Sequence, residues 1–319
     1  MRVWQLNSGP EGRSYADLLV RYGVALIGPG ETGAWASMSA SAFPRHVTRF
    51  AGEVSEGDAI LLRVGRSRIV AAGEVASGYQ CLPQFDDVGG LDLRHARRVR
   101  WFPFATEQEA HHGVPASGGS AFSPVTDGAL ESLAESSLRP ETREWQPAQL
   151  PALPPELPFV EDRRPAVREV AAEARDLWSL YSEVSRQRGA LSESELVCHL
   201  VVPLLGALGW RPELIAVEWR SVDIAVFRRW PRTVANLALL VEAKRVGAVS
   251  ASALRQAREY LDAMDARVDV VVTDGFTYRR YRAEEGYEPN GYANLVRLKA
   301  SGVSLLDELA SAQFICEVT

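Results

Sequence analysis

The 319-residue sequence predicts a two-domain protein of mixed α+β and α/β class: a small β-rich barrel or sheet, followed by a mixed sheet flanked by helices. Three observations predict it. Six prolines (147, 151, 154, 155, 158 and 165) crowd into one segment. The residues before that segment offer short apolar runs punctuated by Gly and Asp, and those after it run in the order α, α, β, β, β, α, β. Prolines interrupt any regular ladder or helix, so residues 146–165 read as a semi-rigid linker between a domain at 1–145 and one at 166–319.

In the first domain "VWQLN", "DAILLRV", "RIVAAGEVA" and "ARRVRWFPF" are strand candidates, rich in branched and aromatic residues. "EGDAILLRVGRSRIVAAGEV" reads as a hairpin with Gly-Arg-Ser between its strands. One short helix is expected over "SYADLLVRYG", where Tyr15, Leu18, Leu19 and Tyr22 recur at helical spacing.

The second domain opens with a long amphipathic helix, since Val167, Val170, Ala171, Ala174, Leu177, Trp178, Tyr181 and Val184 share one helical stripe. A second helix, "SESELVCHLVVPLLGALG", ends at Gly209. Strand candidates "LIAVEW", "SVDIAVF" and "LALLVEAK" follow, then a helix over "SASALRQAREYLDAM" and a strand "VDVVVTDG" leading to "TYRRYRA".

Composition excludes several classes. The net charge of −6 argues against a polycation that coats nucleic acid, although a local basic surface remains open. "LRHARRVRW" places Arg94, His95, Arg97, Arg98 and Arg100 within seven residues, as a solvated strand edge or a phosphate contact. Cys81, Cys198 and Cys316 are far apart and odd in number, which suggests neither a disulfide framework nor a zinc site. No apolar run approaches the ~20 residues a bilayer requires, and "MRVWQLNSG" lacks a signal peptide's apolar core, so a cytoplasmic location and no membrane partner are expected.

The most informative position is Lys244. Only Lys244 and Lys299 are lysines, against 33 arginines, so a bias toward arginine has spared this one. Glu242 and Lys244 are two apart on a strand and share a face, and Asp223 enters the preceding strand. If the two strands are antiparallel neighbours, two carboxylates and an ammonium converge. Such carboxylates suit Mg²⁺, which keeps several waters and a phosphate oxygen in its shell. A nearby lysine can orient or help deprotonate the attacking water and offset charge on the transition state. Arginine replaces it poorly. The plainer alternative is an exposed strand salt bridge between Glu242 and Lys244.

Residues 191–281 resemble the PD-(D/E)XK nuclease superfamily, and most the N-terminal nuclease domain of type I restriction motor subunits. The likeness is carried by "ESELVCHLVVPLLGALGW", "SVDIAVF", "LLVEAKR", "QAREY" and "VVVTDGFTYRRY". It implies a Mg²⁺-dependent site, with Mn²⁺ as a substitute, in which Glu195, Asp223 and Glu242 bind metal. Lys244 completes the catalytic set, and Gln256 and Tyr260 lie beside it. Glu195 has a second reading: Ser192 and Glu195 form S-x-x-E before an apolar helix, a capping box. The chain contains no G-x-x-x-x-G-K-[ST] loop, so target selection is expected from residues 1–145.

Roughly the first 105 residues are similar to the PUA-like superfamily that includes EVE domains. "GDAILLRVGRSRIVAAGEVASGY", "VWQLN" and the loop "GPGETGAW" carry the likeness. It implies a nucleic-acid reader that takes a modified base into an aromatic pocket. Trp35, Tyr79 and Trp101 are the candidate walls, whereas Trp4 lies in a strand run and reads as core. Asp86 and Asp87 are candidate acceptors for a cytosine amino group or acidic turn residues, and Arg97 and Arg98 are candidate phosphate contacts. The combined expectation is a modification-dependent restriction endonuclease acting on double-stranded DNA with a modified base, a homodimer being left open. The alternatives are a non-cleaving nucleic-acid binding or regulatory protein and an RNA-directed nuclease.

Overall fold

The computed structural model describes residues 1–9, 14–28, 44–65, 67–109, 121–139, 150–184, 191–245 and 251–315. The chain divides into two compact units, Met1–Glu156 and Leu157–Thr319.

The first unit is a curled seven-stranded sheet with three helices. It comprises β1 (Val3–Asn7), α1 (Ala16–Tyr22), β2 (Val24–Ile27), α2 (Arg45–Gly52), β3 (Ala59–Val64) and β4 (Arg68–Val75). The short β5 (Gln80–Cys81), the long β6 (His95–Glu109), β7 (Phe122–Pro124) and α3 (Gly128–Leu138) complete it. The order is β2-β6-β4-β3-β1-β7, with β5 also on β6. The sheet curls because β6 serves two sets of partners: β2 and β5 at its start, then β4 along the rest. Alternate residues of β1 and β3 bury Trp4, Leu6, Ile60 and Leu62 on one face, against Phe50 and Phe122. Two helices went unread in the sequence. Both α2 and α3 are short, and α2 offers only Val47 and Phe50 to the core.

The second unit is a mixed six-stranded sheet with helices. Its elements are α4 (Pro165–Val184), α5 (Glu193–Leu196), α6 (Val202–Ala207), β8 (Ile215–Trp219), β9 (Val222–Phe227), β10 (Leu237–Ala243), α7 (Ala251–Ala263), β11 (Asp269–Thr273), β12 (Thr277–Arg282), β13 (Glu288–Asn294) and α8 (Ala300–Glu308). The order is β13-β12-β11-β10-β9-β8, with β10 and β11 parallel through α7 and the other pairs antiparallel. The segment expected as one helix over 192–209 is α5 and α6 joined by a π turn at Val197–Val201. Pro203 gives the reason: it has no N–H for the regular rung, and a wider turn absorbs the loss.

The proline segment is anchored within each unit. In the first, Arg98 Nη2 donates to the Pro151 carbonyl and Pro151 lies against Gly23. In the second, Val160 N–H donates to the Leu298 carbonyl at 2.9 Å. Pro147 lies outside the described residues.

Candidate active site

The antiparallel pairing of β9 and β10 sets Val241 opposite Ile224, so the next step along each strand brings Glu242 beside Asp223. Asp223 Oδ2 accepts the Ala243 N–H at 2.8 Å, which ties its carboxylate to the end of β10. Lys244 N–H donates to the Thr273 carbonyl of β11 at 2.8 Å. From there its ammonium reaches Glu242 Oε1 at 2.6 Å and Asp223 Oδ2 at 3.8 Å.

Burial separates this cluster from a surface ion pair. Glu242 is 0% exposed, and its Oε2 is buried with no hydrogen-bond partner among the described residues. Burial, then the nearby Asp223 charge, raises the Glu242 pKa to about 6, against the pull of Lys244. Asp223 is also raised, by burial first, with its Ala243 hydrogen bond and Lys244 opposing. For Lys244 burial works downward, but the hydrogen bond to Glu242 and the surrounding carboxylates leave its pKa above the usual value. Lys244 is therefore an ammonium at neutral pH. In this arrangement it is a positive charge and a hydrogen-bond donor to Glu242.

Glu195 is placed elsewhere. It is exposed, and its Oε2 accepts from Ser192 N and from Ser192 Oγ, both at 2.7 Å, while its own N–H donates to Ser192 Oγ at 3.2 Å. Both halves of the capping box are thus made, and they hold the Glu195 pKa below its usual value. Two positions earlier, Glu193 is the helix carboxylate that faces the cluster. Its Oε1 accepts the Arg245 N–H at 3.3 Å, and its charge raises the pKa of Asp223 and Glu242. The sequence reading missed Glu193, whose placement depends on how the helix packs against the sheet.

Gln256 and Tyr260 sit on α7, four residues apart, with Gln256 Nε2 donating to Tyr260 Oη at 2.9 Å. They bond each other, and among the described residues neither bonds Asp223, Glu242 or Lys244.

Among the described residues no group of three or more His, Cys, Asp or Glu side chains is arranged to hold a metal ion. The residues nonetheless fit Mg²⁺ by their donor set. Mg²⁺ uses one or two carboxylates and keeps several waters, and a buried Glu242 Oε2 without a partner is the kind of acceptor it takes up.

In the first unit the expected base-reading residues are mostly engaged within the fold. Arg97, 3% exposed, donates to the carbonyls of Phe50, Ala51 and Ser77 at 2.9, 2.9 and 3.1 Å. Arg98 donates to the carbonyls of Tyr22, Gly23 and Pro151. These side chains satisfy carbonyls left open at the C-terminal ends of α2 and α1, a structural role for both arginines expected as phosphate contacts. Arg94 is paired with Asp92 and Arg100 with Glu74, so the arginine-rich run is internally matched. Trp101 donates its indole N–H to the Val24 carbonyl at 3.0 Å, and its ring covers Gly73. Tyr79 Oη lies 2.8 Å from Nδ1 of the fully buried His95. Asp87 accepts the Gly90 N–H at 3.0 Å as a turn residue, and Asp86 ends the preceding 3₁₀ turn. Trp4 is core, 2% exposed and stacked on Phe122. Trp35 lies outside the described residues.

No family model and no curated protein matches the chain. Among solved structures, it is similar to the YTH domain of Zygosaccharomyces rouxii MRB1 protein, determined in complex with N6-methyladenosine RNA. The identity is 15%, the match covers 43% of this chain and 86% of that one, and the TM-score is 0.27. Among the described residues no helix is long and apolar enough to cross a membrane.

Proposed function

We propose that this chain is a modification-dependent endonuclease: the second unit hydrolyses phosphodiester bonds with a divalent cation, and the first selects double-stranded DNA carrying a modified base. The observation that supports it most is the buried Glu242, one oxygen held by the Lys244 ammonium and the other without a partner, beside Asp223. A surface salt bridge has no reason to bury a carboxylate in this way, because desolvation costs more than an exposed pair gains.

Asp223 and Glu242 would hold Mg²⁺ or Mn²⁺, with Glu193 adjoining, and the cation supplies Lewis-acid polarisation and a more acidic bound water. Lys244 remains protonated and offsets negative charge developing on the phosphoryl oxygens. Asp223 is oriented by the Ala243 N–H, and Glu242 by Lys244, so both carboxylates are positioned before substrate arrives.

The test is a digestion panel of unmodified, methylated, hydroxymethylated and glucosylated duplexes, with modified RNA alongside, in Mg²⁺, Mn²⁺ or chelator. Cleavage of a modified duplex with metal and none in chelator, abolished by Glu242→Gln, is the expected result. Folded protein that binds modified duplexes but cuts nothing overturns the nuclease reading in favour of a binding protein. Cutting confined to RNA overturns the choice of DNA.

A further inference from the structure

The chain carries a net charge of −6, yet residues 211–232 hold five arginines against Glu213, Glu218 and Asp223. Arg211 pairs with Glu213, and the other four are organised around two tryptophans flanking β9. At the Asp223 end, Trp219 pairs with Val222, and the two residues between them, Arg220 and Ser221, have φ of 52° and 70°. A two-residue hairpin with both central residues left-handed ordinarily uses Asn-Gly. Arginine in that position holds an unfavourable backbone, of the sort found at functional sites. Its guanidinium lies 4.9 Å from the centroid of the Trp219 ring, and among the described residues it makes no hydrogen bond or ion pair.

The loop after Phe227 repeats the arrangement. Trp230 is 67% exposed, and the Arg232 guanidinium lies 5.8 Å from its ring, its Nε and Nη2 donating to the Glu213 and Pro212 carbonyls at 2.9 and 3.2 Å. Arg228 and Arg229 flank it, both exposed. One bond anchors each: Arg228 Nη1 to the Leu237 carbonyl at 2.7 Å and Arg229 Nε to Asn236 Oδ1 at 3.0 Å. An exposed tryptophan among anchored guanidiniums combines a stacking surface with pre-oriented phosphate donors. The strand between the two turns, the six-residue β9, is roughly 17 Å long, a length of duplex that carries about five phosphates per strand.

We propose that the β8–β9 tip and the Trp230 loop form a nucleic-acid track on the second unit, in which Arg220 and Arg232 bind backbone phosphates and Trp230 packs on an exposed base. The track rests on the proposed nuclease function only for its role, which is to lead the strand past Asp223; the binding itself does not depend on cleavage.

The test uses the full chain, an unmodified fluorescent duplex with a single-stranded end that offers exposed bases, and chelator, so that neither modified-base reading nor cutting enters. Arg220→Ala, Trp230→Ala and, as an exposed control on α4, Arg175→Ala are compared by anisotropy across a salt series and by melting. Arg220→Ala is expected to flatten the salt slope by about one and weaken binding at least roughly threefold. Trp230→Ala is expected to weaken it at least roughly fivefold, and Arg175→Ala to match wild type. Affinities and slopes within twofold of wild type for the two track variants, or a wild-type chain that does not bind the duplex, overturn the track. So does a Trp230→Ala protein that changes from dimer to monomer with unchanged affinity, which identifies a protein interface. Cleavage is then read separately with Mg²⁺. Cutting with track-independent binding sinks the track and leaves the nuclease, whereas track-dependent binding without cutting does the reverse.

Discussion

Lys244 donates to Glu242 across 2.6 Å, yet the other oxygen of the same carboxylate is buried with no partner among the described residues. The ammonium compensates only part of what burial costs, which is why the Glu242 pKa stands at about 6 instead of 4.5. A raised carboxylate pKa gives stability that is full below the unfolded value and lost as pH rises through the folded one. Above pH 6 the ionised Glu242 therefore costs the metal-free fold about 2 kcal/mol.

Glu242→Gln mimics the protonated acid and removes that cost. In chelator the variant should melt above wild type at pH 8, and the gap should close as pH falls from about 6 to 4.5. Mg²⁺ should raise the melting temperature of wild type by more than that of the variant, which keeps Asp223 but loses one of the two carboxylates that would hold it. Calorimetry across that pH range checks both; a wild-type advantage at pH 8 in chelator sinks the argument.

Lys244→Arg tests whether the point charge matters. The larger planar guanidinium does not fit the space of a side chain that is 17% exposed and bonded to a fully buried carboxylate. Cleavage should fall by about 10²-fold or more, the scale of losing one charge-stabilising donor, with duplex affinity within about twofold of wild type. Single-turnover kinetics separates the two quantities.

The two helix carboxylates should behave oppositely. Glu195→Gln keeps the reach back to Ser192 and should cleave at the wild-type rate at limiting Mg²⁺. Glu193→Gln removes charge from the cluster and should raise the Mg²⁺ concentration needed for half-maximal rate. A Glu195→Gln enzyme with the greater Mg²⁺ requirement reverses the assignment.

The pattern of legibility follows from the range of the interactions. The E-x-K spacing of Glu242 and Lys244 and the S-x-x-E box at Ser192 are local, so sequence shows them directly. Which carboxylate of α5 faces the sheet depends on how the helix is rotated against β10 and β11, and no local spacing encodes that. The capping role of Arg97 and Arg98 was hidden for the same reason. A strand arginine next to another looks solvated, and only the tertiary approach of the α1 and α2 C-termini turns both into caps. The helix break at the π turn was within reach, because Pro203 is visible in the sequence.

Arg97→Ala should accordingly act on stability, not on recognition. It leaves the carbonyls of Phe50, Ala51 and Ser77 without their donor in a buried place, at a cost of at least about 2 kcal/mol. The melting temperature should fall, and the affinity of the remaining folded protein for a modified duplex should not change. A stable variant with weakened binding would restore Arg97 as a phosphate contact.

Base reading itself turns on which aromatic is free to stack. Tyr79 is tied to buried His95, and Trp101 is held by Val24 while its ring covers Gly73. Trp35, the third aromatic singled out in the sequence, lies outside the described residues, and the sequence alone nominates it as a stacking wall. Extruding a base from a duplex costs a few kcal/mol of unstacking, and an aromatic face offsets about 1 to 3 kcal/mol of it. Trp35→Ala should therefore reduce the preference for a modified over an unmodified duplex at least roughly fivefold, whereas Tyr79→Phe and Trp101→Phe should keep that preference. The two conservative variants should instead melt lower, having lost the His95 and Val24 hydrogen bonds. Competition binding with paired duplexes reads the preference directly. Unchanged discrimination in Trp35→Ala removes it from the pocket, and lost discrimination in Tyr79→Phe shows that the tyrosine hydroxyl reads the base as well as holding His95.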